Sequence, residues 1–508
     1  MTDDEGKNPY PEGDIVTDAG PSPTLAETVP QSRAAYGKLM KNRKFRLLWI
    51  SQFVSGIGDW LVIGLLMPLV LELSHGSSFA VAGIMIAKII PSLVLSSFTG
   101  VFVDRFDRRR LMIACDLARA FLTIGLVFTR SLWAIYGIVL LMEIASLFFY
   151  PAKSAYIPYL VDEEDVALAN GLSYTTQQGS MLVGLTAASA ILATFEVFVR
   201  WVLVHKIPLV TAFVLHYQAE LIGPRAGVFV DCFTFLFSAA VITLIAVPAK
   251  AEREGGLDWS LIGKDVVESF QFLLGHRELR GFLTTIGLAI LGGGAIIPVG
   301  LNYVDQNLVR RTAVPITPVI EKVPVLARLL ARINAAPSTF MLVFLALGMT
   351  AGALLVPKLA ERLSLPALFL GGVTAFGLSM LGFSTVSIYW LAIVFAILAG
   401  LCIAGVTVAG NTYVIHTVSD DLRGRVFTAM ESVIRVGLLV SMIVLAPLGD
   451  IIAEGIRRFT AEQGLSLAGY TLTGSRITLQ IASLIVLGAA VYAYRTLDWR
   501  GEGNGTHA

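Results

Sequence analysis

Ionisable side chains stand inside long apolar runs of this 508-residue chain, among them Asp59, Lys88, Glu143, Glu431 and Arg435. A charge at the centre of a hydrocarbon layer costs at least about 2.5 to 3.5 kcal/mol unless it meets a partner or water, so such residues are functional by default. A carboxylate and an ammonium at equal depth can fasten two helices, or can take up and release a proton as the helices part. At about 1.5 Å per helical residue, Asp59 stands about 18 Å from the start of its run at Leu47, and Lys88 about 24 Å from Asp104. Because the loop at Asp104 projects beyond the bilayer, these depths are comparable. They predict that Asp59 and Lys88 face each other and that Asp59 exchanges a proton, with a static buried pair as the competing reading. Glu143 and Glu431 are further protonation candidates. Glu431 has Arg435 one turn on, which predicts a local pair. Asp231 is read as structural.

A second concentration of charge is the run GVFVDRFDRRRLM, Gly100 to Met112. Arg105, Arg108, Arg109 and Arg110 will not enter lipid. Asp104 can accept hydrogen bonds from the N–H groups at a neighbouring helix terminus. Such a cluster can latch two helices in one state and release them in another, or it can serve only to set membrane orientation. Asp116 and Arg119, one turn apart, either extend the latch or satisfy each other.

Other chemistries lack their residues. The six histidines are never paired at i, i+4, and Cys115, Cys232 and Cys402 sit in apolar runs without metal or redox spacing, as buried small hydrophobes do. No cofactor or metal is expected. There is no Gly-rich Lys-Ser nucleotide loop, no nucleophile motif and no loop long enough for a catalytic domain, so an enzyme is not expected. A net charge of +1 gives no attraction to nucleic acid.

The elements that position these residues are membrane helices. The chain is 55% apolar and 15% charged, with a mean hydropathy of +0.74, against about 25% charged residues in a soluble domain. Its apolar blocks run to about 20 residues, enough to cross a hydrocarbon core of about 30 Å. The blocks predict spans at 47–73, 78–103, 111–129, 132–159, 168–195 and 226–248, and again at 282–303, 338–357, 364–385, 389–416, 424–449 and 476–494. Blocks this evenly apolar exclude a barrel of alternating strands, so the class is all-α and polytopic. Residues 1–40 read as a disordered cytoplasmic tail, 41–248 as a six-helix bundle, 249–276 as a cytoplasmic linker, 277–495 as a second bundle and 496–508 as a cytoplasmic tail. Arg43, Lys44, Arg46, Arg105, Arg108 to Arg110, Lys264 and Arg423 share one side, which places both termini in the cytoplasm. The segments 304–336 and 451–475 mix basic and apolar residues and read as short helices lying on the outer surface.

The two bundles repeat each other. Arg43 and Arg46 recur as Arg277 and Arg280 at an offset of 234, and Asp104 and Arg105 as Glu361 and Arg362 at an offset of 257. An even number of helices leaves both halves with the same orientation. Parallel repeats with the solute path between them are the layout of a rocking-switch transporter.

The loop at Gly100 to Met112 resembles the signature between the second and third helices of the major facilitator superfamily. SGIGDWL, AKIIPSLVLSSFTG, CDLARA, FFYPAKSAYIPYLV, ANGL and RGRVFTAM are similar to its bacterial branch of siderophore, macrolide and lysophospholipid carriers. The resemblance covers about 45 to 495. It implies the major facilitator fold, a latch of Gly100, Asp104, Arg105, Arg108 and Arg109, extended by Asp116 and Arg119, and a secondary transporter in the inner membrane. Its expected partners are a small hydrophobic or amphipathic solute, protons and membrane lipid. Export is the leading direction, a lipid flippase or an importer the alternative, and a receptor or membrane enzyme the more distant one. One departure bears on direction. Antiporting members carry Gly-Pro in the fifth helix, whereas here Gly179 and Gly184 are followed by Leu185, so the glycines are left to serve close packing.

Overall fold

The computed structural model describes residues 33–103, 105–205, 219–246, 277–309, 337–360, 363–418, 420–459, 465–467 and 470–496. Within lipid every backbone N–H and C=O must be satisfied inside the chain, and the apolar blocks accordingly form helices. After α1 (Arg33–Lys41) the first half comprises α2 (Arg43–Leu73), α3 (Ser78–Val103), α4 (Arg108–Phe128), α5 (Leu132–Tyr156), α6 (Val166–His205) and α7 (Ala219–Thr243). The second half comprises α8 (Arg277–Gly293), α9 (Pro298–Tyr303), α10 (Pro337–Ala360), α11 (Leu365–Thr385), α12 (Tyr389–Thr417), α13 (Asp420–Phe459) and α14 (Gly474–Thr496). With α8 and α9 counted as one broken span, the described residues hold 12 spans long and apolar enough to cross a membrane.

Both halves pack by one plan. In the first, α2 lies against α6 and α7, α4 against α5 and α7, and α3 against α5; in the second, α8 lies against α13 and α14, α11 against α12 and α14, and α10 against α12. The halves meet along α3 with α13 and α6 with α10. Close approach depends on missing side chains. A Cβ on Gly184 would lie 2.5 Å from the Ile57 carbonyl oxygen, and Cβ atoms on Gly348 and Gly400 would lie 2.0 and 2.1 Å from the carbonyls of Ile397 and Leu345. Gly179, expected to do the same, has nothing within 4 Å of its Cβ position.

Several boundaries differ from expectation. The tail read as disordered to residue 40 includes α1, because Leu39 is buried among Phe45, Leu48 and Leu160. Lys38 of α1 meets Glu164 at 2.8 Å and Asp165 at 3.0 Å, and their carboxylates hold its ammonium above the usual lysine range. The segment 451–475, expected as a helix on the outer surface, is not a separate helix. It continues α13 to Phe459, then forms an antiparallel hairpin of β1 (Leu465–Leu467) and β2 (Tyr470–Leu472). Residues 304–309 form one π-helical turn directly after α9. The expected surface helix around 324–334, Lys264 and its linker, and Glu361 and Arg362 lie outside the described residues.

Candidate functional site

The first half carries a charge cluster between α2, α4 and α5. Asp116 and Arg119, on one face of α4, form a buried ion pair. The Arg119 guanidinium also faces Asp59 of α2 at 3.7 Å. It lies between the rings of Phe149 and Phe235, 4.5 and 4.4 Å from their centroids, a contact that offsets part of its desolvation. Asp59 accepts a hydrogen bond from the Tyr150 hydroxyl at 3.4 Å, and that hydroxyl accepts one from the Gln177 amide at 3.3 Å. Lys153 stands over the Tyr150 ring at 5.3 Å.

Asp59 and Lys88 do not pair. The Lys88 ammonium donates to Glu143 of α5 at 2.5 Å. Counted from the shared turn between α2 and α3, Asp59 lies 14 residues back from Leu73 and Lys88 10 residues on from Ser78, a mismatch of about 6 Å along the axes. The two residues nevertheless line one cavity of about 30 Å³, together with Ser146 and apolar side chains. That volume admits a water molecule. Asp231 is fully buried and accepts hydrogen bonds from Thr234 at 2.7 Å and Thr123 at 3.5 Å. It reaches α2 because Gly58 has no side chain, where a Cβ would lie 1.9 Å from its oxygen. In the second half, Glu431 and Arg435 face each other at 3.8 Å, both partly exposed.

Five hydrogen bonds join the halves at the end where α2 turns into α3. The Asp450 carboxylate of α13 accepts from the Ser77 hydroxyl at 2.6 Å, the Ser78 N–H at 3.0 Å and the Phe79 N–H at 3.2 Å. It thereby caps α3 from the opposite half. The Asn302 amide of α9 donates to the Gly76 carbonyl at 2.7 Å and the Ser78 hydroxyl at 2.8 Å.

Residues 48–304, half of the chain, match the sequence model of the Major Facilitator Superfamily. The chain belongs to that superfamily. YfiS, an MFS-type transporter of Bacillus subtilis (strain 168), is 29% identical over 160 residues, 31% of this chain and 38% of its own length. Macrolide efflux protein A of Streptococcus pyogenes is 24% identical over 247 residues, 47% of this chain and 53% of its own length. The chain therefore spans about half or less of the length of the curated relatives it matches. A bacterial homologue of the human lysosomal transporter Spinster superposes with a TM-score of 0.65 at 12% identity, over 92% of this chain and 97% of that one, a likeness of fold.

In this superfamily member the basic loop is tied to its own half. Arg109 donates through Nε to the Ile242 carbonyl at 3.2 Å and also to the Thr243 carbonyl, closing the last turn of α7. Arg108 lies over the Tyr159 ring at 5.2 Å. Gly100 lies in the last turn of α3, which ends at Val103, and Arg105 sits exposed in the turn that follows. Asp104 lies outside the described residues. Asp116 and Arg119 belong to the cluster with Asp59, away from the loop. Tyr150, Lys153 and Gln177 were absent from the expected site. Lys153 was detectable as a cation inside an apolar block. Tyr150 and Gln177 carry no charge to mark them.

Proposed function

We propose that this protein is a secondary active exporter of a small hydrophobic or amphipathic solute, coupled to protons at Asp59, with both termini on the cytoplasmic side of the inner (plasma) membrane. The observation that carries the reading is Arg119 held between two carboxylates. With both carboxylates ionised, Asp59, Asp116 and Arg119 would together bear one net negative charge. A proton on Asp59 makes the group neutral, and Arg119 still keeps Asp116, so no cation is stranded in the membrane. Loss of the Asp59 contact would remove an ion pair that links α2 to α4. Proton uptake would in this way be tied to movement inside the first half. The cavity beside Asp59 and Lys88 offers a water through which the proton arrives.

The two halves act as the moving bodies, with Asp450 and Asn302 as the closure at the α2–α3 end. The basic loop, Asp104 with Arg105, Arg108 and Arg109, serves as the opposing latch in the alternate state, when α13 swings towards it. Efflux by the macrolide relative favours export. Bacteria lacking their own exporters and expressing this chain should accumulate less of a macrolide or a cationic dye than cells with an empty vector, and an uncoupler should erase the difference. Equal accumulation for every compound in a broad panel would refute export; higher accumulation would make the protein an importer, and a changed lipid distribution between leaflets would make it a flippase.

A further inference from the structure

Asp231 is a carboxyl group to which Arg119 offers no nitrogen. It stands midway along α7, 12 residues from Ala219 and 12 from Thr243, about 18 Å from either end, and it is fully buried. Among the described residues no cation pairs with it. Arg119, the guanidinium in electrostatic reach, is taken by Asp59 and Asp116. An ionised carboxylate offers about four acceptor sites, and two hydroxyls reach this one, that of Thr234 at 2.7 Å and that of Thr123 at 3.5 Å. The second is too long for a charge-assisted bond, and Thr123 has a nearer acceptor in the Arg119 carbonyl at 2.9 Å. One good hydrogen bond does not sustain a bare carboxylate at mid-membrane depth. A protonated acid fits the same positions. Thr234 donates to one oxygen, the acid proton on the other is aimed at the Thr123 oxygen, and Thr123 gives its own hydrogen to Arg119.

The packing also ties Asp231 to Asp59. On α2 its neighbour is Gly58, where a Cβ would collide with its oxygen, next in sequence to Asp59. On α4 its neighbour is Thr123, one turn on from Arg119. On α7 itself Phe235, one turn on, lies under the Arg119 guanidinium at 4.4 Å. The third helix packed on α7 is α6, which brings no described charged side chain within reach. Asp59 and Asp231 thus both stand beside one guanidinium. We propose that Asp231 is a second proton-binding site, and that Asp59 and Asp231 alternate as the ionised partner of Arg119. In the arrangement described, Asp59 is ionised against Arg119 and Asp231 holds the proton. When Asp59 takes up a proton, Arg119 keeps Asp116 and turns to Asp231, whose O–H bond breaks and whose proton leaves to water. One proton arrives and one departs, so the four residues carry one net negative charge in both states. The alternation rests on the reading of Asp59 as a proton site, whereas the protonation of Asp231 does not.

The test is infrared spectroscopy of the full chain in lipid vesicles at neutral pH, with aspartate isotopically labelled at its side-chain carboxyl carbon, reading the absorption of protonated aspartic acid. Wild type should show a band that is missing from Asp231→Asn. Asp59→Asn leaves Arg119 without its second carboxylate, so the guanidinium should turn to Asp231 and the same band should be lost. Should Asp231→Asn not fold, Thr123→Val removes the acceptor of the acid proton and should shift the band. A wild type without the band, or a band unchanged in Asp231→Asn or Thr123→Val, would overturn the protonation of Asp231. A band lost in Asp231→Asn yet kept in Asp59→Asn would make Asp231 a static acid and overturn the alternation. If the band behaves as expected while Asp59→Asn still accumulates substrate under a proton gradient, the alternation stands and only the coupling of transport to Asp59 fails.

Discussion

Arg119 is 1% exposed and faces two carboxylates, so its own loss is more damaging than theirs. Arg119→Met would leave Asp59 and Asp116 close together without a counter-charge, a change worth about 3–5 kcal/mol for a buried pair that loses one member. We expect a lower melting temperature in detergent, largely recovered by Asp59→Asn and Asp116→Asn in the same chain. A single variant that melts with the wild type would remove Arg119 from the centre of the cluster. The depth of Arg119 was legible: it lies 11 residues into α4, about 16 Å up, level with Asp59. What concealed its partner was Asp116 one turn away, which offers a sufficient local pair. Glu143 lies 11 residues into α5 and Lys88 10 residues into α3 from the same end, so the same arithmetic from that end brings these two together. Lys88→Met alone should therefore destabilise the fold, and Lys88→Met with Glu143→Gln should do so less, when melting is compared.

Element by element, block length located the spans, because lipid sets the number of apolar residues needed to cross it. It failed where charges do not end a helix. Glu454 meets Arg457 at 3.0 Å and Arg458 at 2.8 Å along α13, so a segment that read as a surface helix is the end of a span, supported by its own i, i+3 and i, i+4 pairs. The cap between Asp450 and α3 was not legible, since it joins residues more than 370 positions apart. Loss of such a cap is worth about 0.5–2 kcal/mol. Asp450→Ala should accordingly lower the population closed at that end. Spin labels at the exposed Arg130 and Ile388, one in each half, should show a broader and longer distance distribution in the variant by pulsed electron resonance. An unchanged distribution would leave Asp450 a local cap with no part in closure. Gly184→Val should fail in a different way, by forcing α6 from the Ile57 backbone and lowering the yield of folded protein.

For the whole molecule, the repeat predicts equal halves, yet among the described residues the charge cluster occupies only the first. At the offset of 234, Gly58 corresponds to Gly292 and Asp59 to Gly293. Gly292 faces α14 as Gly58 faces α7, but the space at Gly293 is filled by the Phe376 ring, 2.6 Å from a Cβ position there. On the proposed reading, coupling would belong to the first half, and the second would supply the closure at Asp450. Orientation is tested by labelling: the native cysteines are buried, so an impermeant thiol reagent added to cells should modify Arg130→Cys and spare Glu163→Cys. The reverse pattern would invert the topology. The most direct measurement of proton coupling is substrate movement in vesicles reconstituted with wild type or Asp59→Asn, under an imposed proton gradient and separately as exchange with no gradient. Gradient-driven accumulation should disappear in Asp59→Asn while exchange persists; accumulation at the wild-type rate in that variant would contradict the coupling role of Asp59.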